Sequence, residues 1–374
     1  MKKILLNAIS IKEGGGAVIF IKIVNEMFKQ TNQIHWVIVI DEMMRNQINT
    51  NDQVTILTYP WIKKSPLHLL YWNEVVLPNL IKELEIDCVF SQTNTLPFRK
   101  LSCPTFLSIL HAGYFSKEFA LLQAQYNSSL RSKIGWWIRK QWVYSSLKKA
   151  DKIISPTKAL GDEIISKLKI NKNKITVIWP GAGLADGSVF SKKNEYQQTW
   201  RIGYITKYGV QKNFDVLFRA ASRLKKHSVR FKLILTLNEN HAPFRFVREL
   251  INKYNIGDII ENQGESNEEK IRDLYLTLDL FVFPSLCESI GFTLIEAMYY
   301  GIPILAANIN SNRELLGKNG VFFDPYNNQE LFDKIMSIMN NKNYYLSLSR
   351  YSINRVKLFS WNESAINTLR VLTE

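Results

Sequence analysis

DLFVFPSLCESIGFTLIEAMYYGIPILAA, residues Asp279 to Ala307, reads as a strand, a turn, a helix and a second strand in immediate succession. The run around Leu280–Phe283 is continuously apolar and too short for a helix, which marks a strand buried on both faces. FTLIEAMYYG has the composition of a helix of about two or three turns, stopped by Gly301 with Pro303 beyond it. Buried strands that alternate with helices make a parallel sheet covered on both sides.

The turn between strand and helix carries two carboxylates, Glu288 and Glu296, with seven residues between them. Gly291, Phe292 and Thr293 form the helix start, whose free backbone N–H groups and positive dipole end suit a phosphate. Glu288 lies before the helix and Glu296 one turn inside it. A carboxylate accepts paired hydroxyls well, because each oxygen has two lone pairs. One glutamate can therefore hold ribose hydroxyls and the other those of a second sugar, with a diphosphate between them. The plain alternative is a first-turn glutamate that favours the helix dipole, beside an ordinary loop glutamate.

The same alternation runs through the chain. KKILLNAI, HWVIVI, VTILTY, DCVFSQ, PTFLSILH, DKIISPT and KITVIW read as strands, with helical patterns such as AVIFIKIVNEMFKQ and ALGDEIISKLK between several of them. A turn-rich break follows from Trp179 to Trp200, and the pattern restarts with RIGYIT, FKLILTL, DIIENQG, LDLFVFPS, IPILAA and GVFFDP. The expectation is two doubly wound α/β domains in series, residues 1–185 and 186–357, joined near 180–200.

A chain of 374 residues exceeds one ordinary core, and 46% hydrophobic with 12% aromatic residues argues against disorder. Cys88, Cys103 and Cys287 sit in apolar segments without metal-ligand spacing, as expected of reduced thiols in the cytoplasm. MKKILLNAIS has a basic start, but Lys12 and Glu13 end the apolar run early, so a first strand is expected rather than a signal peptide. The net charge is +15. Residues 1–180 hold 24 Lys/Arg and 13 Asp/Glu, hence +11, and the remaining 24 and 20 leave +4 for the rest. Nucleic acid, an anionic membrane, a phosphate-bearing substrate, or solubility alone would each account for that excess.

Three further loci stand at expected strand ends, where open α/β sheets bind ligands. Gly14, Gly15 and Gly16 follow the first strand and open a helix, without the spacing of a P-loop or a dinucleotide fingerprint. GYITKYGVQKN, Gly203 to Asn213, places Lys207 and Lys212 after the first strand of the second domain, where two cations suit a diphosphate and are otherwise solvated. His111 closes PTFLSILH, placed either to reach a ligand or to fill a core position.

FPSLCESIGFTLIEAMYYGIPILA resembles the donor-binding signature of the family-4 retaining glycosyltransferases of the GT-B fold, with Ile290 in place of the usual phenylalanine. The resemblance continues through KNFDVLFRA, NSNRELLGKNGVFFDP and FSWNESAINTLRVLTE. In the first half only the glycine loop, the strand-end histidine and KIISPTKAL agree. It implies two Rossmann-like domains facing across a cleft, the C-terminal helix at about residues 358–374 packing back on the first. By this likeness Glu296 holds the nucleotide ribose and Glu288 the donor sugar hydroxyls. Gly291, Phe292, Thr293 and Leu294 cradle the diphosphate and sugar, and Lys212 sits on the diphosphate. The family's arginine is absent and Lys207 stands in for it, without a bidentate fork. His111 lies near the donor sugar, Gly15 and Gly16 approach the donor phosphates, and Gln263 and Gly264 read the base. Glu288, His111 and Lys212 are the expected catalytic groups.

The implied reaction is retaining transfer of a hexose-type sugar from a UDP- or GDP-linked donor to a lipid-linked saccharide, in O-antigen or capsule synthesis. No cofactor is expected, and with no Asp-x-Asp at a strand end, no catalytic metal. A GT-B nucleotide-sugar epimerase or hydrolase is one rival. A nucleic-acid-binding protein is another, suggested by pI ≈ 9.5, but no recognition motif accompanies it. LRSKIGWWIRKQWVYSSLKKA, Leu130 to Ala150, reads as a helix with two apolar faces. Leu130, Ile134, Trp137 and Ile138 share one, and Trp136, Val143 and Leu147 the other, with Arg139 and Lys140 beside it. One face can pack on the core. Tryptophans flanked by cations suit an anionic membrane, so Trp136, Trp137, Arg139 and Lys140 are expected to hold the protein peripherally to the inner face of the plasma membrane.

Overall fold

The computed structural model describes residues 1–11, 14–126, 129–182 and 199–374. Lys12, Glu13 and most of the expected linker, residues 183–198, lie outside that set.

The first sheet has seven parallel strands: β1 (Lys2–Asn7), β2 (Ile34–Ile40), β3 (Val54–Thr58), β4 (Cys88–Ser91), β5 (Thr105–Ser108), β6 (Lys152–Ser155) and β7 (Ile175–Val177), in the order β3-β2-β1-β4-β5-β6-β7. The second has six: β8 (Trp200–Tyr204), β9 (Phe231–Leu235), β10 (Ile260–Asn262), β11 (Leu280–Phe283), β12 (Ile304–Ala307) and β13 (Val321–Phe323), in the order β10-β9-β8-β11-β12-β13. Helices follow most strands, and the central strands are buried along their length, Ile4, Leu5 and Leu6 in one sheet and Leu280 to Phe283 in the other. Continuous apolar strands form in this way because each must bury both faces. The strand order reverses between β1 and β4 in one sheet and between β8 and β11 in the other. Crevices at such switch points are where doubly wound sheets take ligands.

The chain divides into two compact units. One comprises Met1–Ser116, Asn127–Gly181 and Phe359–Glu374, the other Lys117–Tyr126 and Ala182–Leu358. In the first, the helix Trp361–Thr373 lies along the helix Gly15–Gln30, and Lys2 Nζ donates to the Leu372 carbonyl at 2.9 Å. Helix Lys117–Tyr126 groups with the second unit, where Tyr126 meets the Phe246 ring edge-on at 5.2 Å. KEFALLQAQY buries only Phe119, so it carries no strong apolar stripe to betray its packing. The cysteines form no disulfide, and burial pushes the Cys88 thiol up to about 12 and that of Cys103 to about 11. Among the described residues, no helix is long and apolar enough to cross a membrane.

Candidate active site

In the second unit the loops after β8 and β11 meet at the switch point. Lys212 ends a short helical turn, Val210–Lys212, and its Nζ lies 2.6 Å from Glu288 Oε1. Both side chains are mostly buried, 15% and 12% exposed. The lysine also stands 5.9 Å from the Phe283 ring centroid. Three bonds pin this turn to the β11 loop: Leu286 N–H donates to the Gln211 carbonyl at 2.9 Å, and the Tyr204 hydroxyl bonds both the Lys212 carbonyl, at 3.1 Å, and Ser285 Oγ, at 3.0 Å. Asn213 adopts φ 50° and donates from Nδ2 to the carbonyls of Pro284 and Pro325, at 3.2 and 2.8 Å. One amide thus joins the ends of β8, β11 and β13.

Gly291 caps the helix Phe292–Tyr299. A Cβ there would meet Phe283 and Leu294 at 3.1–3.2 Å, so glycine lets the turn sit against the strand. At the helix start Phe292 N–H donates to the Ile290 carbonyl at 3.2 Å, and Leu294 and Ile295 N–H both donate to the Gly291 carbonyl at 3.0 Å. Glu296 is buried below it and accepts a 2.7 Å bond from the Tyr275 hydroxyl. Tyr275 also donates to the Thr293 carbonyl at 3.2 Å and lies flat on Tyr300, 5.2 Å between centroids. Burial pushes the Glu296 carboxyl up to about 7, opposed by the Tyr275 bond and aided by the Glu268 charge. With the folded value raised, the stability this group contributes is greatest at acid pH and is lost as pH rises through about 7.

Lys207 is half-exposed and pairs with Glu265 at 3.3 Å, beyond the end of β10. Gln263 and Gly264 follow the same strand. Gln263 N–H donates to the Leu235 carbonyl at 2.8 Å, and Gly264 takes φ +69°, a conformation that requires glycine although nothing crowds it.

In the first unit, the residue of the glycine loop that needs to be glycine is Gly14, at φ +76°. Gly15 begins the helix, and the Gly16 carbonyl accepts from Gln92 Nε2 at 3.0 Å, which ties the first turn of that helix to the loop after β4. His111 follows β5. Its Nδ1 accepts the Gly113 N–H at 3.0 Å, which puts the ring proton on Nε2, and burial holds its pKa down to about 4. It is therefore a neutral hydrogen-bond donor at physiological pH.

The helix Leu130–Lys149 turns its Val143 and Leu147 face inward and leaves Leu130, Ile134, Trp137 and Ile138 exposed, Trp137 by 61%. Trp136, expected at a membrane, instead stacks on Tyr114 at 4.8 Å and lies 5.7 Å from the His111 ring. The Arg139 guanidinium lies near Tyr114, and Lys140 is half-buried over the Tyr144 ring at 5.6 Å. Trp136 and Arg139 thus lie beside Tyr114 on the His111 turn, 20 or more residues earlier in sequence, whereas the partner of Lys140 is Tyr144 of its own helix.

Two family profiles match: Glycosyltransferase Family 4 over residues 14–185 and Glycosyl transferases group 1 over residues 188–355. The sucrose-phosphate synthase of Spinacia oleracea is 27% identical over 129 residues, 33% of this chain and 12% of that protein. The serotype-specific mannosyltransferase WbdA of Escherichia coli is 23% identical over 232 residues, 59% of this chain and 28% of that protein. The chain spans between 12% and 56% of the length of the first curated relatives it matches. The crystal structure of Anabaena HepE in complex with UDP-glucose superposes with a TM-score of 0.73 over 100% of both chains, at 15% identity, a likeness of fold.

Proposed function

From a chain that belongs to the family-4 glycosyltransferases and has their GT-B fold, we infer a retaining enzyme. It moves a hexose-type sugar from a UDP- or GDP-linked donor to a lipid-linked saccharide of a cell-surface polysaccharide. The observation that carries the donor assignment is the constellation at the β8/β11 switch point: Lys212 on Glu288 at 2.6 Å, the capped start of the helix Phe292–Tyr299, and the buried Glu296 beneath it. Lys212 and the helix start receive the diphosphate and stabilise the charge that grows on it as it leaves. Glu296 accepts the ribose hydroxyls and Glu288 those of the donor sugar. His111, neutral and protonated at Nε2, donates to a sugar hydroxyl. Lys207, Gly15, Gly16, Gln263 and Gly264 complete the donor contacts, at the second phosphate and the base. No enzymic carboxylate is assigned as a covalent nucleophile. The departing phosphate itself takes the acceptor proton, so the new bond forms on the face that the old one leaves. Crystallised with UDP-glucose, HepE supports the donor class, and WbdA, a serotype-specific mannosyltransferase, supports a hexose as the transferred sugar.

The test is a thermal-shift scan of UDP-, GDP-, ADP- and dTDP-sugars. One donor at 100 times its Kd should stabilise the protein by about 2.7 kcal/mol. No shift with any of them contradicts the reading. The cations here are protein groups, so overnight EDTA treatment should leave turnover unchanged, and loss restored by a divalent metal would contradict that part.

Affinity for the donor should also depend on pH. With its carboxyl pushed up to about 7, Glu296 is largely protonated below that value and must lose a proton to accept two hydroxyls. Calorimetry with the nucleoside diphosphate should show affinity falling below pH 7, by up to about tenfold per unit, with a plateau above it. A flat profile from pH 5.5 to 8.5 would remove Glu296 from the ribose.

The exposed face Leu130, Ile134, Trp137 and Ile138, with Arg131, Lys133 and Lys148 also exposed on the helix, is assigned to the anionic inner leaflet. Each cation near the surface adds about 1 kcal/mol, weakening with salt. Flotation on phosphatidylglycerol vesicles should drop to the level of neutral vesicles in an Arg131→Glu, Lys133→Glu, Trp137→Glu variant. Equal recovery would leave the basic charge another purpose.

A further inference from the structure

We propose that the first unit carries a saccharide-binding platform, built by Trp61, His68 and Tyr71, that holds sugar rings of the acceptor chain. The proposal rests on the transferase reading above and adds a site to it. After β3 the chain turns through Pro60–Lys64 into the short helix Pro66–Tyr71. Trp61, Leu67, His68 and Tyr71 line an open hollow of about 470 Å³ there, within the usual range for ligand sites. The Trp61 ring lies 6.0 Å from Tyr71 and 6.1 Å from His68, tilted by 58° and 54°. Behind it the platform is stiff. Tyr59 stands 6.2 Å from Trp61 and 4.7 Å from the fully buried Trp72, within the apolar core that also takes in Ile62. In front it is open, with Tyr71 54% exposed.

The lining selects the ligand. Among the described residues, those that line the hollow are Trp61, Leu67, His68 and Tyr71, none of them an Asp, Glu, Lys or Arg, and the neighbouring Lys63 is paired with the buried Asp41. These four side chains themselves offer a phosphate headgroup or a charged peptide no counter-charge. A pyranose offers apolar C–H faces, which suit aromatic rings, and hydroxyls, which suit the polar ends of Trp, Tyr and His. Ser65 Oγ lies 2.8 Å from His68 Nδ1 and fixes that ring, so Nε2 is the nitrogen for a ligand hydroxyl. The hollow follows the carboxyl end of β3, on the rim of the sheet where the segments after β1 and β5 carry Gly14 and His111.

The full-length chain is tested on an array of bacterial surface oligosaccharides, with calorimetry on any that bind, for the wild type, Trp61→Ala, Trp61→Phe and Tyr71→Ala. Affinity for UDP and GDP is measured on the same samples. Wild type should bind at least one glycan. Tyr71→Ala, at an exposed position that does not threaten folding, should weaken it at least fivefold and Trp61→Ala about tenfold, with Trp61→Phe recovering most of the loss. Nucleotide affinity should be unchanged. The platform is overturned if a wild type that binds nucleotide binds no glycan, if Tyr71→Ala binds glycan as tightly as wild type, or if Tyr71→Ala loses only flotation on phosphatidylglycerol vesicles. Absence of UDP and GDP binding in the wild type would instead count against the donor assignment, which the glycan arm does not depend on.

Discussion

Lys212→Ala is expected to lower turnover by roughly 10²–10³-fold and to change the donor KM by no more than about threefold. The negative charge on the departing diphosphate is greatest in the transition state, so a cation held in place there contributes most at that point. Lys212 is held in place. Its carbonyl accepts from Tyr204, the preceding Gln211 carbonyl is bonded by Leu286, and Asn213 ties the turn to two other strand ends. The ammonium therefore needs little rearrangement when the charge develops. Before the donor binds, Glu288 neutralises it at 2.6 Å. The variant leaves that carboxylate part-buried without its cation, which costs stability as well. Kinetics should accordingly be measured well below the variant's melting midpoint. Lys212→Arg keeps the charge with a different reach and should fall between. A Lys212→Ala enzyme altered only in KM would show that the lysine binds ground state and transition state alike.

Glu296→Ala should weaken binding of the nucleoside diphosphate by roughly 10²–10⁴-fold. Two hydroxyls lose hydrogen bonds to a charged acceptor, each contributing about 1.5–3 kcal/mol. The substitution also leaves the buried Tyr275 hydroxyl without its 2.7 Å partner, so a stability loss accompanies the binding loss. Glu296→Gln separates the two. Its amide oxygen can still accept from Tyr275, so folding should be largely retained while affinity falls, because one of its two terminal atoms no longer accepts. Calorimetry on both variants, checked against their melting curves, decides the matter. Unchanged affinity in Glu296→Ala would take the residue out of the ribose site.

What could be read from the sequence followed the range of the interactions involved. The strands were legible because a buried parallel strand is a short, unbroken apolar run, as in VIVI of β2 or LFVF of β11, whatever lies next to it. The turn from β11 into the helix Phe292–Tyr299 was legible for the same reason, since its glycine, carboxylates and helix stop are neighbours in sequence. Tyr275 and Asn213 were not. Each acts through bonds to residues 18 to 112 positions away, and a lone tyrosine or asparagine carries no local signal of that. The helix Leu130–Lys149 showed two apolar faces, but periodicity cannot say which one meets a core. The stacking of Trp136 on Tyr114 decided it. Lys207 stands out in the sequence as a cation at a strand end, but its pairing with Glu265 depends on a loop 58 residues later.

The most direct measurement follows the anomeric proton of the sugar by NMR while the wild-type protein slowly hydrolyses α-linked UDP- and GDP-sugars, water taking the acceptor's place. The account predicts release of the nucleoside diphosphate from one donor, with the α-sugar appearing first and the β-anomer only later, by mutarotation. A β-sugar formed first would contradict retention. Intact donors across the whole panel, or an epimerised donor without release of diphosphate, would contradict the assignment of a sugar transferase with its donor site at Lys212, Glu288 and Glu296.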